Sequence, residues 1–177
     1  RQMCIRDRFG KPSETDITDM AFIQIVEEAA GISLTRNAVG TVSLTEKNLE
    51  TMASVMALNI AEKGLTGLSA LKYFTGLQTL NCSGNSLTTL DVSALTNLTS
   101  LNCYRNELTK LDVSKLTNLT SLDCSFNSLT TLDVSALTKL TSLYCYRNEL
   151  TKLDVSKLTG LTKLDCAYNQ LTALDVS

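Results

Sequence analysis

Leu77-Gln78-Thr79-Leu80-Asn81-Cys82-Ser83-Gly84-Asn85-Ser86-Leu87-Thr88-Thr89-Leu90-Asp91-Val92-Ser93-Ala94-Leu95 is the stretch that decides the fold, because the chain repeats it. Cys82, Cys103, Cys124, Cys145 and Cys166 stand 21 residues apart, and Leu77, Leu98, Leu119, Leu140 and Leu161 open the same pattern. A fixed interval of this size marks stacked units, each too small to bury its apolar side alone. Four complete units and most of a fifth are present, and a weaker rung precedes them at Val55, Leu58, Ile60, Leu65 and Leu68.

Within a unit, alternation at Leu80, Asn81 and Cys82 predicts a short strand with Leu80 and Cys82 inward and Asn81 outward. Asn85 then turns the chain, and its amide can satisfy backbone groups in its own and the adjoining coil; Asn106, Asn127, Asn148 and Asn169 repeat the device. One coil fixes more backbone than its apolar side chains can compensate, so stability must come from stacking.

The pattern Leu77-x-x-Leu80-x-Cys82-x-x-Asn85 resembles the LxxLxLxxN signature of the leucine-rich-repeat family, with cysteine in the third apolar place, over roughly residues 55 to 177. It is similar in particular to bacterial surface proteins of the internalin J kind and of gut bacteria, which also carry a cysteine column and an LTxLDVS second half. The resemblance implies an α/β fold: a leucine-rich-repeat solenoid with a parallel β-sheet on the concave face and an N-terminal helical cap. It implies a secreted or cell-surface location, and it leaves the ligand open.

Residues 9–54 lack the repeat and are expected to form that cap. Asp16 to Ala30 sets Phe22, Ile23, Val26, Ala29 and Ala30 on one helical face, with Gly31 suited to ending it. Ser43-Leu44-Thr45-Glu46 fits a capping box, and Leu49, Met52 and Met56 follow at helical spacing. The loop between, from Ser33 to Val42, is read as a plain turn, because no Asp or Glu occurs from Ile32 through Ser43 to serve a calcium site.

Both extremities are expected to be incomplete. Gln2-Met3-Cys4-Ile5-Arg6-Asp7-Arg8 matches the reading of CAG ATG TGT ATA AGA GAC AGR, which resembles a transposase adapter, so residues 1–8 are set apart from the fold as an artefact. Ser177 falls part-way through a coil, so the solenoid, assigned to residues 55–177, is read as truncated there. The chain is expected to be monomeric unless an uncapped edge at that end self-associates.

Several function classes find no support. With 16 basic and 18 acidic residues the net charge is -2, so nucleic acid is not expected as a partner. No apolar run approaches the roughly 20 residues of a membrane span. The absence of histidine removes Ser-His-Asp and Cys-His arrangements, no phosphate loop is present, and the chain is read as no enzyme, with no cofactor.

Zinc sites bring cysteines in close pairs, whereas an interval of 21 residues stacks one thiol per coil, so no metal is expected and the column is read as core. Bridges between stacked neighbours are geometrically awkward. Asp91, Asp112, Asp133, Asp154 and Asp175 form another column; each sits in Leu-Asp-Val-Ser, where it can bond local backbone, and this reading is preferred over calcium.

The outward residues carry the functional expectation. Cys-Tyr-Arg-Asn-Glu-Leu-Thr-Lys-Leu-Asp-Val-Ser-Lys occurs at 103–115 and again at 145–157, so the true unit is 42 residues. Tyr104, Arg105, Phe126, Tyr144, Tyr146, Arg147 and Tyr168 are expected along one ridge, and tyrosine and arginine are enriched at binding hot spots. The first reading is a protein-binding or adhesion module taking a protein or glycan ligand. The alternative is a passive spacer presenting another domain, in which these side chains only cover the turn.

Overall fold

The computed structural model describes residues 20–36 and 42–174. The expectations placed on residues 1–19, on 37–41 within the N-terminal loop and on Asp175 lie outside them. Two helices lead into a solenoid: α1 (Met20–Ala30), β1 (Thr35–Arg36), β2 (Val42–Ser43), α2 (Glu46–Ser54), β3 (Ala57–Asn59), a 3-10 turn (Leu71–Tyr73), then β4 (Thr79–Asn81), β5 (Ser100–Asn102), β6 (Ser121–Asp123), β7 (Ser142–Tyr144) and β8 (Lys163–Asp165).

Strands β3 to β8 form one six-stranded parallel sheet in sequence order. The register is set by the leucines: Leu58 pairs with Leu80, Leu80 with Leu101, Leu101 with Leu122, Leu122 with Leu143 and Leu143 with Leu164. Because side chains alternate, a slip of one residue would turn each leucine out and each polar neighbour in. The ladder continues past each strand, where the Cys82 amide donates to the Asn102 carbonyl (2.8 Å) and the Cys103 amide to Asp123 (2.8 Å). The rest of each coil returns behind the sheet through tight turns such as Leu95 N to Val92 O and Leu98 N to Leu95 O. Leu77, Leu80, Cys82, Leu87 and Leu95 and their counterparts fill one continuous core.

The N-terminal helices extend that core. Phe22, Ile23 and Val26 of α1 and Leu49 and Met52 of α2 join the same cluster as Leu58 and Ile60 of the first rung. The buried face of α1 is narrower than expected, since Ala29 is exposed and Ala30 half-buried. Gly76 brings helix and solenoid together: a β-carbon there would collide with the Ala53 carbonyl at the end of α2.

Helix α2 begins two residues later than the Ser43 reading predicts. Thr45 is its N-cap, accepting the Asn48 amide (3.1 Å), while Asn48 Oδ1 accepts the Thr45 amide (2.9 Å). Ser43 is committed elsewhere, to the two-residue antiparallel pairing with Thr35. Leu44 and Leu49, at the two positions of a hydrophobic staple, are both buried and hold the helix entry in place. Met56, expected on the helical face, follows the helix end and is 62% exposed.

Candidate functional site

The turn that closes each strand is held by two side-chain columns. In the inner column, Asn106 is 8% exposed and reaches across coils: Nδ2 donates to the carbonyls of Cys82 (3.0 Å) and Cys103 (3.1 Å), and Oδ1 accepts the Leu87 amide (3.1 Å). Asn85, Asn127, Asn148 and Asn169 make equivalent bonds. In the outer column, Asn59, Asn81, Asn102, Asp123 and Asp165 each accept the amide two residues on, at 3.0 to 3.2 Å. Tyr144 occupies the remaining position of this column, between Asp123 and Asp165, and has no oxygen near enough to its own backbone to do so.

Held this way, the second residue after each cysteine takes a left-handed backbone conformation. Arg105 (φ 52°), Phe126 (φ 53°), Arg147 (φ 51°) and Tyr168 (φ 54°) share it with Gly84 (φ 66°) and with Glu62 (φ 57°) of the first rung. Side chains with a β-carbon find this region costly, by roughly 1 to 2 kcal/mol per residue, and glycine does not.

The left-handed turn projects Phe126 and Tyr168 into the rows of Tyr104 and Tyr146, which precede it by one position in the neighbouring coils. The result is an unbroken chain of rings along four coils: Tyr104 to Phe126 at 5.1 Å, Phe126 to Tyr146 at 5.3 Å and Tyr146 to Tyr168 at 5.1 Å between centroids, all edge-on or tilted. Edge-on contact suits the ring quadrupoles. Arg147 sits at the hub, its guanidinium carbon 5.3 Å from the Phe126 centroid, 5.7 Å from Tyr146 and 5.2 Å from Tyr168. Its Nε donates to the Tyr146 hydroxyl (3.2 Å), and that bond, foremost, holds the guanidinium protonated above its ordinary range. Tyr168 is 69% exposed, Tyr104, Phe126 and Tyr146 are half-buried, and both arginines are exposed.

The sequence-based ridge is therefore two surfaces. Tyr104, Phe126, Tyr146, Arg147 and Tyr168 are in ring contact, and Arg105 stands at the head of the row beside Gly84 and Glu62. Tyr144 is not part of that chain: it lies within β7 on the sheet face, in register with Asp123 and Asp165. Two features escaped the sequence reading, the left-handed column and the column of Asn or Asp before each cysteine. The second was visible as the repeated Asn-Cys and Asp-Cys pairs at 81, 102, 123 and 165.

The thiols belong to the core. Cys82, Cys103, Cys124 and Cys145 are free and buried, and Cys166 is half-buried in the last described coil. Burial pushes Cys82 and Cys145 up to about 12, and Cys103 and Cys124 well above the ordinary thiol range. A thiol kept protonated is neither a nucleophile nor a metal ligand, and Cys82 Sγ instead meets the Asn102 carbonyl (3.5 Å). In the Leu-Asp-Val-Ser column, Asp91, Asp112, Asp133 and Asp154 accept the amides of Ser93, Ser114, Ser135 and Ser156 at 2.9 to 3.0 Å. The Ser hydroxyl first, and its amide second, hold Asp91, Asp112 and Asp133 below the usual carboxylate range. Among the described residues no group of three or more Cys, Asp or Glu is placed to hold a metal ion, and no helix is long and apolar enough to cross a membrane.

The same architecture occurs in known proteins. A family model described as leucine-rich repeats (two copies) matches residues 75–116, 96–137, 117–157 and 138–177. The functional domain of InlJ from Listeria monocytogenes, which includes a cysteine ladder, is 43% identical with a TM-score of 0.78 over 89% of this chain, and the match takes in 33% of that chain. The internalin InlF of Listeria monocytogenes is 27% identical, with a TM-score of 0.72 over 89% of this chain and 45% of its own. A leucine-rich-repeat protein of Leptospira interrogans is 25% identical, with a TM-score of 0.60 over 80% of this chain and 42% of its own. No curated protein matches. The present chain thus spans under half the length of these solved relatives. Family match from residue 75 to the last coil, and thiol and asparagine columns seen in register, together establish that this chain belongs to the leucine-rich-repeat family, as an internalin-like domain of a class that generally binds proteins.

Proposed function

We propose that the solenoid is a ligand-recognition module of a bacterial secreted or cell-surface protein, and that it grips a protein ligand through the ring chain and the adjoining sheet face. The observation that carries this reading is the left-handed column. Gly84 demonstrates that glycine satisfies the turn, yet the next four coils place Arg105, Phe126, Arg147 and Tyr168 there, each at a conformational cost. Positions that break a local rule without entering the core are where binding residues are expected. The likeness to InlJ and InlF of Listeria monocytogenes supports the bacterial setting.

A second reading is favoured by one observation. The ring contacts run from coil to coil along the solenoid axis, so they also stiffen a spacer that presents another domain.

The two separate on arrays of extracellular host proteins and of glycans probed with the labelled chain. The recognition reading expects a defined set of bound proteins, lost when Tyr104, Phe126, Tyr146 and Tyr168 are changed together to Ala and kept when Lys110 and Lys152, on another side of the coil, are changed to Ala. Glycan spots alone would redefine the ligand class. Binding to nothing on either array leaves the spacer.

A further inference from the structure

Coils 98–118 and 140–160 are the same sequence except at two places, Asn102 against Tyr144 and Asn118 against Gly160. The coils before each of them, 77–97 and 119–139, differ on the same strand position, Asn81 against Asp123. Across the sheet the outward residue before each cysteine therefore runs Asn81, Asn102, Asp123, Tyr144, Asp165. The first part of the face is neutral amide, and the second is a ring between two carboxylates.

Register makes the second part a unit. Asp123 pairs directly with Tyr144, and Tyr144 with Asp165. At about 4.8 Å per strand, the two carboxylates straddle the ring at a separation of roughly 10 Å. Ser121 and Ser142 lie two residues earlier on the same face. One oxygen of Asp123 and one of Asp165 hold backbone amides, those of Ser125 (3.0 Å) and Ala167 (3.2 Å), and each carboxylate has a second oxygen to offer. Tyr144 gives up the turn bond that Asn102 makes to the Tyr104 amide (3.0 Å) in the otherwise matching coil. That loss has no return in core packing, because Tyr144 is half-exposed.

We propose that Asp123, Tyr144 and Asp165 form a subsite on the sheet face that takes an arginine side chain of a protein partner. The proposal rests on the reading of the solenoid as a protein-binding module. A planar guanidinium stacks on a tyrosine face and donates in its own plane to carboxylates on either side, which a compact ammonium cannot do at once. Arg147 does not fill the place, being held among Phe126, Tyr146 and Tyr168. Lys163, the one basic residue of strands β3 to β8, stands opposite Ser142 and not opposite Tyr144.

The test is an amide-resolved NMR titration of the full chain with the peptide acetyl-Gly-Arg-Gly-amide, beside the same peptide carrying citrulline, the neutral isostere. The arginine peptide should shift the amides of 121–125, 142–146 and 163–167, weakening with added salt, and the citrulline peptide should not. Tyr144→Asn and Asp123→Asn, which reinstate residues already used in the sister coils, should each weaken the response at least tenfold while the melting temperature holds or rises. An equal response to citrulline, no response to either peptide, or an unchanged response in Tyr144→Asn overturns the subsite. If the arrays yield a protein ligand while the arginine peptide fails, the recognition function stands and this subsite falls; arrays that bind nothing remove the function beneath both.

Discussion

The side-chain carbonyl of Asn106 accepts the backbone amide of Leu87 at 3.1 Å, so a residue in one coil closes the hydrogen-bond account of the coil before it. Asn106→Ala leaves that buried amide without a partner and strips a donor from the carbonyls of Cys82 and Cys103. The expected loss is about 2 to 4 kcal/mol, the cost of orphaned buried groups, and it appears as a lower urea midpoint. Because each coil depends on its neighbour, the unfolding transition should also broaden.

The left-handed turn gives a prediction of opposite sign. Arg105 holds φ at 52° where Gly84 serves the preceding coil at 66°. Arg105→Gly should raise stability by up to about 1 kcal/mol, read from the same urea titration, because the backbone penalty disappears. A loss of stability would show that the arginine side chain packs better than its exposure indicates.

The thiol column predicts a decline in stability at alkaline pH. The ordinary thiol value is 9.0, and burial raises Cys82 and Cys145 in the folded chain to about 12. Between those values the unfolded chain releases protons that the folded chain keeps. The stabilisation is complete below about pH 9 and is lost as pH rises towards about 12. Unfolding free energy should hold to about pH 9 and fall from there to about pH 11. Alkylation at pH 8 should reach Cys166, half-buried, before Cys103, which is fully buried.

At the acid end the sign reverses. Asp112 and Asp133 are held below 3.8, first by the hydroxyls of Ser114 and Ser135. Their contribution is present above the ordinary carboxylate value and disappears as pH falls through the lowered one. Ser114→Ala should move the Asp112 titration, followed by carboxyl NMR shifts, back towards 3.8, leaving Asp133 where it was.

Most of the architecture was legible because one interval governed it. Leu80, Cys82 and Asn85 each have a single role at 21-residue spacing, and repetition averages away local ambiguity. The N-terminal region offered no such averaging: Ser43 fits a capping box locally, yet Thr45 caps the helix and Ser43 pairs with Thr35 in a short antiparallel ladder that no local pattern encodes. For the candidate site, the residue types were readable and their arrangement was not. Tyr144 and Tyr146 look equivalent in the sequence, two positions apart, but one remains in the strand while the other enters the turn, where the left-handed residues of the adjoining coils, Phe126 and Tyr168, bring their rings alongside it.

That alternation also constrains how such a surface can change in size. The rings arise from the first position after cysteine in one coil and the second position in the next, so a single added coil would set two like positions side by side and interrupt the row. Insertion or deletion of 42 residues keeps it whole. Gene segments of this kind are therefore expected to lengthen or shorten the gripping row in steps of two coils, with specificity altered by single strand residues such as the one at position 144.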